Sequence, residues 1–100
     1  MNAYVIEHIP ADETEPQLLQ GGNEAMSCVA AVSHLMVAGH RIMLIHENGQ
    51  PMEAKQFGDM MIMAARLLAL NRLAVSMDMD MTEAHRLFGE FLGMPAESEE

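Results

Sequence analysis

The sequence predicts a small α+β protein, in which an N-terminal strand and a central hairpin form a minimal sheet packed on two or three helices. Three observations carry that expectation. "AYVIEHI" (Ala3–Ile9) is short, partly β-branched and roughly alternating, and Pro10 stops it. "HRIMLIHENGQPM" sets an apolar run, Arg41–Glu47, before Asn48-Gly49, the pair that a two-residue hairpin turn prefers. Helical stretches flank that hairpin, "EAMSCVAAVSHLMVA" before it and a long, mostly apolar one from about Glu53 or Asp59 to Val75 after it. The alternative is an all-helical dimer, because "RIMLIH" is apolar enough to be helical and periodicity alone does not decide so short a run.

Each element can be justified in order. In the first strand, Tyr4, Ile6 and His8 fall on one side and Val5, Glu7 and Ile9 on the other. Residues 10–22 read as an acidic loop with two prolines and a closing Gly pair, holding at most one helical turn at Gln17–Gln20. Asn23 is a suitable N-cap for the helix "EAMSCVAAVSHLMVA", and Gly39 a suitable residue just past its end. Pro51 shortens the returning strand of the hairpin.

A long helix then runs from about Glu53 or Asp59 to Val75. Its polar residues Asp59, Arg66, Asn71 and Arg72 do not gather on one face, so apolar groups occupy most of its circumference. A chain this short has little material to wrap such a helix. The expectation is a homodimer, with Met60, Met61, Met63, Leu67 and Leu70 at its interface. The last helix is the best marked. Asp80 stands at the N-cap with Glu83 three residues on, and Ala84, Leu87, Phe88 and Phe91 form an apolar stripe that Gly93 closes. "AESEE" reads as a frayed acidic tail over 95–100, and residues 1–100 as one domain.

Composition narrows function more than it names it. The net charge is −10. Residues 1–40 hold five acids and no Lys or Arg, and residues 76–100 hold seven acids against Arg86 alone. A field of that sign repels phosphate, which argues against direct nucleic-acid binding and favours a protein partner with a basic surface. Twelve methionines and no Trp indicate a core of adaptable side chains. Cys28 is the only cysteine, so no disulfide forms within the chain. No apolar run approaches the ~20 residues of a membrane helix, and "MNAYVIEHIPADE" lacks a basic leader. The expected location is cytoplasmic, away from membranes.

The stretch "SMDMDMTEAHR" (Ser76–Arg86) invites sharper readings. Met77, Met79, Met81 and His85 have the composition of a soft Cu(I) site, which is the alternative function considered. "LAVSMDMDMT" satisfies the D-x-D-x-T pattern of haloacid-dehalogenase-type phosphatases, but over ten residues only, and no Lys follows Lys55. As an EF-hand loop it fails twice, with Glu83 at the glycine position and Gly89 at the bidentate position. As a helix-turn-helix it would turn acids toward phosphate. A helix junction capped by Asp80 is the better reading, and neither catalytic residues, metal ligands nor cofactor are assigned. The expected function is that of a small, non-enzymatic, acidic binding module, an inhibitor or regulator docking on a nucleic-acid-handling complex. Small acidic inhibitors from phages and plasmids, including anti-CRISPR and antirestriction proteins, share that general character of charge and size. Asp12, Glu13 and Glu15 in the loop, and Asp78, Asp80 and Glu83 at the junction, are the expected contacts.

Overall fold

The structure, a computed structural model, describes residues 3–94. It is α+β: a four-stranded antiparallel sheet with three helices. Along the chain run β1 (Tyr4–Ile9), β2 (Gln17–Gly22), α1 (Ala25–Val37), β3 (Arg41–Glu47), β4 (Gln50–Pro51), α2 (Ala54–Ser76) and α3 (Met81–Phe88). The order across the sheet is β2-β1-β3-β4, so the expected N-terminal strand is central and pairs on both sides.

β1 and β3 pair with Ile6 opposite Ile45 and Glu7 opposite Leu44. Alternation then sends Tyr4, Ile6, His8 and Ile45 to the covered face, where all four are buried. The Asn48-Gly49 turn forms as expected, with both residues at positive φ (55° and 82°), as a type I′ turn requires. Pro51 leaves β4 only two residues long.

The 10–22 stretch departs from expectation. Only its first part is a loop; Gln17–Gly22 is strand β2, paired with β1 from His8–Gln17 to Tyr4–Gly22. "QLLQGG" has neither β-branched residues nor alternation, so local propensity argues against a strand. Pairing with β1 and cover from α1 override it. Gly21 makes that cover possible: a Cβ there would sit 3.1 Å from Cys28 Sγ and 3.2 Å from Tyr4 Cβ.

The first helix starts one residue later than its expected cap. Glu24, not Asn23, is the N-cap, without a side-chain bond. Ser27 Oγ donates instead to the carbonyls of Glu24 (2.7 Å) and Gly21 (3.2 Å), tying the helix start to β2. Gly39, at φ 84°, follows the C-cap Ala38 as expected.

The main core joins Tyr4, Ile6 and Ile45 from the sheet to Cys28, Val29, Val32 and Leu35 of α1 and Ala64 of α2. A second cluster links Leu70 and Ala74 of α2 to Ala84 of α3. The expected dimer residues lie within these packings. Leu70 is buried in the second cluster, and Met60, Met61, Met63 and Leu67 are half-buried against the first. The short chain does find material to wrap α2, namely α1 and α3. The large apolar groups α2 leaves exposed are Ile62 and Val75.

α3 is shorter than its apolar stripe. It ends at Phe88, and 89–93 fold into turns closed by Met94 N–H donating to the Gly89 carbonyl at 2.8 Å. Phe91 therefore leaves the stripe and is 89% exposed. Arg66 pins this segment to α2 through the Gly93 carbonyl, at 3.1 Å. The acidic tail 95–100 lies outside the described residues.

Candidate interaction surface

The six acidic residues expected to contact a partner fall on two separate elements. Asp12, Glu13 and Glu15 occupy the turn between β1 and β2 and are exposed. The turn is tight: Glu13 N–H donates to the Pro10 carbonyl at 3.1 Å, and Asp12 takes φ 68°, a left-handed conformation that Asp tolerates better than most residues. Glu13 Oε1 accepts from Gln17 Nε2 at 3.0 Å. Among the described residues no Lys or Arg pairs with these three carboxylates.

The helix-junction acids are partly committed. Asp80 caps α3, its Oδ1 accepting from the Glu83 N–H at 2.8 Å. Glu83 sits in the first turn, where a carboxylate meets the positive helix end, and pairs with Arg86 at 3.2 Å. Asp78 takes φ 56° in the bend between α2 and α3, which meet at 112°. Of the three, Asp78 alone is exposed with neither a capping role nor an ion pair among the described residues.

The methionines of this stretch sit in different surroundings. Met79 and Met81 pack against Leu70, Ala74 and Ala84, whereas Met77 is exposed. Two of the three sulfurs are thus spent on packing.

The structure brings together two histidines that lie 32 residues apart in the chain. His8 and His40 approach with their Nδ1 atoms 3.0 Å apart and their rings within 24° of parallel. Antiparallel pairing causes this: Ile9 lies opposite Arg41, so the end of β1 meets the residue preceding β3. One nitrogen donates and the other accepts, so at least one ring is neutral. His8 is buried, and its pKa is lowered, first by burial and then by the charge on His40, with Glu13 pulling the other way. On the opposite face of the sheet, His46 Nε2 lies 3.6 Å from Glu7 Oε1.

Cys28 is fully buried, and burial pushes its thiol up to about 11. It is therefore protonated and inert at neutral pH. Among the described residues no three His, Cys, Asp or Glu side chains group as metal ligands. No protein-family model, curated protein or solved structure matches the chain. Among the described residues, no single helix is long and apolar enough to cross a membrane.

Proposed function

We propose that the chain is a non-enzymatic, cytoplasmic protein-binding module whose acidic face docks on a basic surface of a nucleic-acid-handling complex. It acts there as an inhibitor or regulator of the phage- or plasmid-borne kind, and it self-associates as a homodimer. The observation that supports the reading best is the β1–β2 turn. Three exposed carboxylates stand on a tight turn, with no Lys or Arg among residues 1–40 to neutralise them. Such a cluster competes for Lys and Arg groups that otherwise hold phosphates, and it accelerates encounter with them. Asp78 supplies a further exposed charge at the helix junction.

The test is charge reversal. Asp12→Lys, Glu13→Lys and Glu15→Lys together should weaken partner binding at least tenfold and flatten its dependence on salt. The same reversal at Glu53, Asp59 and Glu90, on other elements, should do much less. Equal losses from both triples would show that net charge alone matters, and unchanged binding by the turn variant would remove the turn from the interface.

A further inference from the structure

β2 is an edge strand whose one protective feature, the extra residue Gly21 that shifts its register against β1, lies near its C-terminal end. The opposite edge, β4, is two residues long and ends in Pro51, which blunts it. β2 extends over six residues, Gln17–Gly22, and none of them is charged. It exposes a leucine on each face. Leu19 shares the helix-covered face with Ile6, its pairing partner, yet Leu19 is 38% exposed where Ile6 is 0%. Leu18, on the outer face, is 68% exposed. The core face is left unfinished at this edge.

The hydrogen-bond phase identifies which backbone groups are free. Met52 N–H donates to the Ile45 carbonyl at 2.9 Å, so Ile45 turns its peptide groups toward β4. Alternation then turns those of Ile6 toward β2, and those of its partner Leu19 toward β1. Leu18 and Gln20 present their N–H and C=O groups to the open edge.

We infer that this edge binds β2 of a second copy of the chain, antiparallel and centred on Leu19, joining the two sheets into one. The inference rests on the self-association part of the proposed function and moves the interface from α2 to β2. An antiparallel twofold pairing keeps the helices of both copies on one side. It sets Leu19 against Leu19 and lets Leu18 exchange two hydrogen bonds with Gln20 of the second copy, twice over by symmetry. The choice of a second copy follows from charge. Each chain carries −10, so copies repel over most of their surface, and β2 is a stretch where backbones can meet with no like charges opposed. The two leucines and the free peptide groups of one copy are what the other lacks.

The test is the mass of the purified chain in solution, measured by sedimentation over a concentration series without any partner present. A concentration-dependent dimer is expected, strengthened by added salt because salt screens the repulsion between chains; docking on a basic partner has the opposite salt dependence. Gln20→Pro removes an edge N–H that β1 does not use, and Leu19→Lys sets two cations face to face on the twofold axis. Each should weaken the dimer at least tenfold. Leu19→Lys also brings the net charge closer to zero, so its effect is not general repulsion, and it serves alone if the proline variant loses its circular-dichroism signature. Val75→Lys, on an exposed site of α2, should leave the dimer unchanged. A chain that stays monomeric up to about 1 mM, or variants at β2 that dimerise like the parent, would overturn the inference. Either result leaves the partner-docking reading to its own test.

Discussion

His8 and His40, 32 residues apart in the chain, share a hydrogen bond between their Nδ1 atoms at 3.0 Å. Because burial and the neighbouring ring both hold His8 below its ordinary pKa, the unfolded chain takes up a proton at higher pH than the folded one. Between the two values stability rises with pH. The contribution is fully present above the unfolded value of about 6.5 and is lost as pH falls toward the lowered folded value. Urea midpoints should therefore drop between about pH 7.5 and about pH 5.5. His8→Leu should flatten that drop; an equally steep fall in the variant would place the acid sensitivity elsewhere.

Asp80 caps α3 through a 2.8 Å bond from the Glu83 N–H. Asp80→Ala should cost about 1 kcal/mol and Asp80→Asn much less, since Asn caps nearly as well. Asp78 holds φ 56°, so Asp78→Gly should be neutral or stabilising, and Asp78→Val destabilising. Thermal melts of the four variants check both statements.

Two glycines should respond in opposite directions. Gly21 has Cys28 Sγ, Tyr4 Cβ and Ile6 Cδ1 within 3.4 Å of an added Cβ, so Gly21→Ala should destabilise by about 1–3 kcal/mol. Gly58 lies within α2 with nothing within 4 Å, and Gly58→Ala should stabilise by about 0.5–1 kcal/mol. Chemical denaturation of both variants gives the comparison directly.

Cys28 should not react with a thiol reagent at neutral pH in the native chain, because burial both shields it and raises its pKa to about 11. Labelling should appear only across the unfolding transition. Fast labelling of the native chain would mean that α1 lifts from β2.

The elements legible in the sequence are those whose local chemistry agrees with their tertiary setting. Asn48-Gly49 turned the hairpin, Asp80 capped its helix and Gly39 closed α1, each through a backbone requirement few residues meet. β2 was illegible because its order comes from elsewhere: Gln17-Leu18-Leu19-Gln20 extends only through β1 beside it and α1 above it. The His8–His40 contact was hidden for a related reason. It depends on the pairing register of β1 and β3, including a shift between Glu7 and His8, which neither strand encodes alone. Phe91 fits the helical stripe by spacing, yet the helix stops three residues before it. Of the candidate surface, the exposure of the turn acids follows from their composition; the capping and pairing that occupy Asp80 and Glu83 needed the fold.

The central claim is charge-driven docking on a basic partner. Its most direct test is capture of partners by the tagged chain from its own host's lysate, washed at low and at high salt, with the Asp12→Asn, Glu13→Gln, Glu15→Gln variant in parallel. The account predicts one dominant basic-surfaced partner, retained at low salt, released at high salt and poorly captured by the variant. A partner held equally by both proteins at both salt concentrations, or no partner at all, would contradict it.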